Sequence, residues 1–423
     1  MSTARKRPDL SDVGDRSARG VRCVATGLIS GTSADGVDAA VVDVEGSGGA
    51  AALKVLHFET VPYGAELRDL VLRAAHMTVA ELTRLHVRLG RVFAAAALHA
   101  VEAARLHPSE VDVLGSHGQT VFHAPPARNQ PGASLQIGDG CVLAHETGIV
   151  TISDFRAADL AAGGEGAPLA PYLDWVLFHR LRGATVALNL GGIANVTYIP
   201  GGDRSVAETG EAHPSGEDPP RCGNADHGPD GVLGFDTGPA NMVLDALATR
   251  LLPGAPAFDR EGAAAARGEV DGALLARLLE HPFFHRPPPK STGRELFGST
   301  YLDEFCTLGR GLAPQDLLAT AAALCAYTVS GAVTWFGEQN APAVARVVAS
   351  GGGVHNATVM NMLRERLAPI PLEISDRWGI PVDGKEAVLF ALLAAESLRG
   401  VPASLPGVTG ARRSKVLGKT SIP

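Results

Sequence analysis

The sequence predicts an α/β protein of two domains. Apolar runs of strand length end repeatedly in glycine turns and alternate with longer stretches of helical period. The chain has 423 residues, whereas single cores stop growing near ~250–300 residues. In addition, one pattern of strand, glycine turn and strand occurs twice.

Taken in order, residues 1–20 (MSTARKRPDLSDVGDRSARG) mix charges of both signs without an apolar stretch, and predict a disordered extension rather than a secretion signal. Strands are predicted at 21–28 and 37–44, on either side of ISGTSADGVD. A helix is predicted from about 65 to 106, broken near Met77 and Thr78, because LTRLHVRLGRVFAAAALHAVEAARL keeps a period near 3.6. After Pro108, VDVLGSHGQT reads as a strand entering a polar loop. Residues 201–231 hold almost no large apolar side chain and much Gly, Pro and acid, which predicts a disordered surface insertion.

Beyond it follow the strand VLGFD, a loop, a helix from about 240, the proline-rich HPFFHRPPPKSTGRELFG, an alanine-rich helix, the strand VARVVAS, a glycine turn and a closing helix. The most apolar segment, LLATAAALCAYTVSGAVTWFG, is rich in Ala, Thr and Ser. It predicts a buried helix, since it would insert poorly beside a Leu/Ile span of ~20 residues. GLISGTSADGVDAAVVD and ALNLGGIANVTYI echo each other, which suggests an approximate duplication. The expected division is 21–160, joined by the returning helix at about 384–400, then 161–383, and a tail at 401–423.

A net charge of −8 and a pI near 6.0 offer no basic face for nucleic acid or for an anionic membrane. Five scattered cysteines, Cys23, Cys141, Cys222, Cys306 and Cys325, include no C-x-x-C pair, so neither a disulfide framework nor a zinc site is expected, and a reducing cytoplasm fits. His117 and His123 stand six residues apart, which matches no common zinc spacing.

Four loops could carry chemistry. In ISGTSADGVD, glycines let the backbone approach a ligand, N–H groups can cradle an anion, and Thr32 and Ser33 add hydroxyl donors. No Walker motif is present. Asp35 and Asp38 would repel phosphate unless a cation intervened, so Mg²⁺ held through water by Asp35 is the natural complement. The plain alternative is a hairpin whose Ser and Asp cap the turn. NLGGIAN adds Gly191, Gly192 and Asn195. GFDTGPAN puts Asp236 at the end of an apolar strand, where open α/β sheets carry working residues. VVASGGGVHN puts Gly351, Gly352 and Gly353 between strand and helix, leaving room for a flat ring or ribose.

Together with GSHGQTVFHAP, LQIGDGCVLAHETGIVTISDFRAADLAAGGEGAPLAP, PPPKSTGRELFG and LPGVTGARRSKVLG, these stretches resemble, in order and from about residue 24 to 418, the anhydro-N-acetylmuramic acid kinase family. The resemblance implies a two-lobed actin/hexokinase-like (ribonuclease H-like) fold, with ATP and sugar in the interlobe cleft, and a homodimer. It also implies that ATP and water convert 1,6-anhydro-N-acetylmuramic acid to its 6-phosphate as the anhydro bridge opens, a step of cell wall recycling. O6 is tied to C1 in this substrate, so the base must serve a water attacking C1, and Asp236 matches the family's catalytic aspartate.

By the same match Gly31, Thr32, Ser33, Ala34, Asp35, Gly36, Val37 and Asp38 would hold the ATP phosphates, with Gly191, Gly192 and Asn195 closing on them. Gly351 to Gly353 and Asn356 would lie along the adenosine. His117, Arg156 and Glu386 are the expected sugar contacts, the cation suiting the lactyl carboxylate. The competing readings pair Arg156 with Asp154 or Asp159, let Glu386 merely start the closing helix, satisfy His117 internally, and make Asp236 a helix cap. Two rival functions use the same residues: an ATP-driven switch or polymer of actin type, and a glycoside hydrolase with Asp236 and Glu386 as its carboxylate pair.

Overall fold

A computed structural model describes residues 22–31, 33–127, 130–202, 229, 231–252, 258–339 and 343–423. The expected extension 1–20, most of the insertion 201–231, Thr32 and Cys222 lie outside the described residues. The chain forms two compact units, one of residues 1–176 and 374–423, the other of 177–373.

The first unit contains β1 (Cys23–Ser30), β2 (Gly36–Glu45), β3 (Ala52–Pro62), β4 (Val113–Ala124), β5 (Ala133–Ile137), β6 (Thr151–Ser153) and, from the far end of the chain, β12 (Lys419–Ser421). Their order is β12-β6-β4-β1-β2-β3, with β5 paired to β4. β1, β2 and β3 form an antiparallel meander, and β4 runs parallel to β1 and β6.

One face of this sheet carries the helices Ala65–Leu72 and Val79–Ala103. They separate where a break is predicted, because Thr78 and Glu81 build a capping box: the Thr78 hydroxyl accepts from the Glu81 N–H and the Glu81 carboxylate from the Thr78 N–H. Leu89, Phe93, Ala97 and Val101 of the longer helix pack into a core with Leu28, Val37 and Val41. The helix Lys385–Leu398 lies against β1, β2 and β4. Its backbone comes so close that a Cβ on Gly27 would overlap the Ala387 carbonyl, and one on Gly115 the Phe390 carbonyl. Those two glycines set the depth at which this helix sits.

The second unit contains β7 (Ala184–Leu190), β8 (Ile193–Ile199), β9 (Leu233–Pro239), β10 (Val344–Ser350) and β11 (Leu372–Ile374), in the order β11-β10-β7-β8-β9. β7, β8 and β9 repeat the antiparallel meander, and β10 runs parallel to β7 as β4 does to β1. The echo between the two hairpins is therefore a repeated topology. The helix Pro314–Glu338 is long and apolar enough to cross a membrane, yet most of it is buried inside this unit, packed on β8 and β9.

Two expected loops are strand instead. β4 continues through His117 to Ala124, bending at Gly118, whose φ of +76° only glycine adopts readily. β9 runs on through Asp236, Thr237 and Gly238, so Asp236 is mid-strand and not at a strand end. The apolar pattern ends before the strands do because polar residues, among them His117, Gln119 and Thr237, take buried positions in them.

Candidate functional site

In the first unit the turn between β1 and β2 is closed by the Ala34 N–H donating to the Gly31 carbonyl at 3.2 Å. Ala34 is left-handed, with φ of +49°, and buried. A non-glycine residue in that region marks a turn held by its surroundings. The Ser33 hydroxyl donates to Asp35 at 2.8 Å, and both side chains are exposed. A Cβ on Gly31 would meet nothing nearer than the Ser33 hydroxyl, at 3.8 Å, so packing does not require glycine there. Gly36 differs, since a Cβ there would strike the Val61 backbone of β3. Val37 and Ala34 belong to the apolar core, and any contact they make with a ligand must come from their backbone. Beneath the turn the Ser30 hydroxyl donates to Gln119 Oε1 at 2.6 Å, and Gln119 Nε2 donates to the Gly31 carbonyl at 3.4 Å.

Asp38 accepts from the Thr60 hydroxyl at 2.6 Å. Burial, reinforced by the charges of Asp35, Glu386 and Asp383, pushes its carboxyl up to about 6. Such crowding of acids favours a cation. Among the described residues no group of three or more His, Cys, Asp or Glu side chains could hold a metal by itself. An ion at Asp35 would therefore rest largely on phosphate oxygens and water, the usual habit of Mg²⁺.

Arg156, His117 and Glu386 come together in this unit. Arg156 Nε donates to His117 Nε2 at 3.0 Å and Nη1 donates to the Gly166 carbonyl at 2.8 Å. His117 is buried, stacks on Phe390 with ring centroids 4.6 Å apart, and donates from Nδ1 to the Gly118 carbonyl at 3.2 Å. Burial, then Arg156, hold His117 well below its usual pKa, so it stays neutral and its Nε2 can accept. Glu386 presents an accessible carboxylate amid crowded protein; desolvation raises its pKa while Arg156 and Lys385 oppose.

The competing pairings of Arg156 do not form. Asp154 is bound to Lys419, while the buried Asp159 accepts from Thr409 at 2.8 Å and from the Gly166 N–H at 2.9 Å, fixing the Gly-Gly-Glu-Gly loop. Glu386 does occupy the first turn of its helix, but Lys385 beside it makes the buried ion pair of that turn, with Asp174 at 2.6 Å.

In the second unit β7 and β8 meet at Gly191 and Gly192. Their carbonyls accept the N–H groups of Asn241, and of Ala240 and Met242 respectively, at 3.0–3.1 Å, which ties the turn to the start of the helix Asn241–Leu251. One row crosses the sheet from Asn189 through Asn195 to Asp236. Asp236 Oδ2 accepts the Thr292 N–H at 2.8 Å, and the Asp236 N–H donates to the Lys290 carbonyl at 3.0 Å. Desolvation lifts the Asp236 carboxyl to about 6, with Glu295 adding to the rise and the Thr292 N–H and Lys290 restraining it. It caps no helix, since the N-cap of Asn241–Leu251 is Ala240.

Gly351 and Gly353 pack against Asn189 and Leu190, leaving Gly352 as the more open of the three. Asn356 caps the helix Ala357–Leu367 by accepting from the Val359 N–H at 3.1 Å. Sequence reasoning missed Gln119, Asn189 and Thr292. All three stand inside quoted motifs, but Thr292 acts through its backbone and leaves no side-chain signal.

A family model described as anhydro-N-acetylmuramic acid kinase matches residues 24–213 and 227–422. This chain belongs to that family. It is 43% identical over 411 residues to the anhydro-N-acetylmuramic acid kinase of Salinibacter ruber, covering 95% of this chain and 97% of the relative. It is 40% identical over 409 residues to that of Caldanaerobacter subterraneus subsp. tengcongensis, covering 94% and 97%. Among solved structures, a ROK hexokinase from Thermus thermophilus aligns at a TM-score of 0.34 and 17% identity, covering 90% of this chain and all of that one. Family membership makes the chain a sugar kinase of peptidoglycan recycling, as the motifs led one to expect. The reading as an actin-type switch is not favoured.

Proposed function

We propose that Asp236 is the general base of a coupled ring opening and phosphoryl transfer. The supporting observation is its carboxylate: one oxygen is fixed by a backbone N–H, the other accepts no hydrogen bond among the described residues, and the pKa is lifted to about 6. A base of that strength suits work near neutrality and contributes on the order of 10²- to 10⁴-fold. Asp236 takes a proton from water as the water oxygen bonds to C1 of the anhydro sugar. The C1–O6 bond breaks, O6 bonds to the γ-phosphorus, and the bond from that phosphorus to the β-bridging oxygen breaks. The products are N-acetylmuramic acid 6-phosphate, ADP and one proton.

The remaining roles follow the side-chain chemistry. Arg156, held by His117 and Gly166, keeps Nη2 for the lactyl carboxylate, and Glu386 orients sugar hydroxyls or steadies positive charge at C1. The N–H groups of residues 31–38 cradle phosphate, with Thr32 and Ser33 adding hydroxyls. Gly191, Gly192 and Asn195 serve the phosphates, and Gly351 to Gly353 with Asn356 the adenosine. Asp35 would hold Mg²⁺ through water, and the ion would offset phosphate charge. Dependence on ATP supports a cytoplasmic setting. A homodimer, implied by the family, should scatter light as twice the 43.7 kDa chain.

Turnover in ¹⁸O-water tests the scheme. The label should enter the sugar at C1 and not the phosphate, and only when ATP is present. Ring opening without ATP would favour a glycoside hydrolase, and label in the phosphate would mean that water attacks phosphorus.

A further inference from the structure

We infer that the second unit carries a binding site for a flat organic anion, an aromatic or unsaturated carboxylate or sulfonate, in a cavity behind β9 walled by Phe235, Phe284, Tyr327 and Trp335 and floored by Lys290. The cavity measures about 400 Å³ and is not part of the site assigned above. Phe235 and Thr237 of β9 line it, and Asp236 between them does not. Across from β9 stands the helix Pro314–Glu338, whose Gly331 opens onto the cavity. A Cβ on Gly331 would meet nothing within 4 Å, so packing does not explain a helix-weakening residue there. Its absent side chain leaves room for a ring.

Charge selects the ligand. His285, Arg286 and Lys290 contribute to the lining and no carboxylate does. Arg366 stacks on the Tyr327 ring at 3.3 Å, adding a further cation nearby. The Lys290 ammonium sits 4.8 Å from the Phe283 ring centroid and donates to the Phe283 and Phe284 carbonyls at 3.2 and 3.3 Å. An ammonium has three donors, so one is left for an acid group. Desolvation and Arg286 both press on this charge while Asp236 supports it, and a bound anion would add to that support. Occupancy also bears on catalysis, because the Lys290 carbonyl and the Thr292 N–H both hold Asp236. This last step rests on the reading of Asp236 as the base, whereas binding does not.

The test titrates the full-length protein with 8-anilinonaphthalene-1-sulfonate, followed by its fluorescence. Saturable binding at one site per chain is expected, weakened at least tenfold by Gly331→Leu, which fills the cavity, and several-fold by Lys290→Met. Uncharged N-phenyl-1-naphthylamine should bind at least tenfold more weakly. Absence of saturable binding, binding indifferent to both substitutions, or equal affinity for the uncharged probe would each overturn the assignment. With the probe saturating, kcat should change in the wild type and not in Gly331→Leu. An unchanged kcat despite binding would overturn the link to Asp236 while leaving the site.

Discussion

Beside the hairpin of the first unit, the row crossing β1, β2 and β3 reads Ile29, Asp38, Thr60; in the second unit the matching row across β7, β8 and β9 reads Asn189, Asn195, Asp236. Each row holds one carboxylate, and each carboxyl is pushed to about 6, mainly by desolvation. Their surroundings differ. Asp38 takes a hydroxyl hydrogen bond and faces three acids, whereas Asp236 takes a backbone N–H and has one acid, Glu295, and a lysine near. The turns differ as well, with five residues and an open Gly31 in one hairpin and only Gly191 and Gly192 in the other. Moving the acid from the middle strand of the meander to the third thus changes the groups around it.

The largest effect should come from exchanging each acid for its amide. Asp236→Asn should lower kcat by about 10³-fold, within the range for a general base, while Asp38→Asn should cost about tenfold, chiefly through the KM for ATP. Steady-state kinetics decide it, and equal losses would break the contrast between the rows. Next comes Arg156→Met, expected to raise the sugar KM about 30-fold, as loss of a charge-assisted pair implies. His117→Ala should raise it less, since His117 acts by positioning Arg156.

The pH profile gives a third measure. A base must be ionised, so kcat/KM should fall about tenfold per unit as pH drops below about 6, the value to which Asp236 is raised. That limb should persist in Asp38→Asn.

The smallest effect concerns stability. Both carboxyls stand above their ordinary value of 3.8. The folded chain therefore holds protons that the unfolded chain releases, and this stabilisation, full below about 3.8, is lost as pH rises through about 6. Either amide should raise stability at pH 8 by on the order of 1 kcal/mol after allowing for partial solvent screening, with no gain at pH 3.5. Melting curves at the two values check it.

Much of this was legible in the chain. The hairpins declare themselves by apolar runs around glycine turns, and the helix break at Thr78 by a capping box visible as T-x-x-E. Asp236 stands out as a carboxylate inside an apolar strand pattern. What sequence could not supply was register, because pairing Asn195 with Asp236 joins residues on either side of a long insertion. Nor could it choose a partner for Arg156: two aspartates lie close in sequence, yet the histidine that engages it is 39 residues away. Gly31 and Gly36 look alike in the motif, and only the neighbouring strand shows that one faces open space and the other Val61.

The helix that seats its backbone on Gly27 and Gly115 begins at Lys385, so strands made early wait for a segment made far later. Contacts that span so much chain form late. During synthesis one face of the early sheet must stay uncovered until that segment emerges, a window in which a chaperone would find its target. A chain cut short of Lys385 would lack the helix that covers β1, β2 and β4.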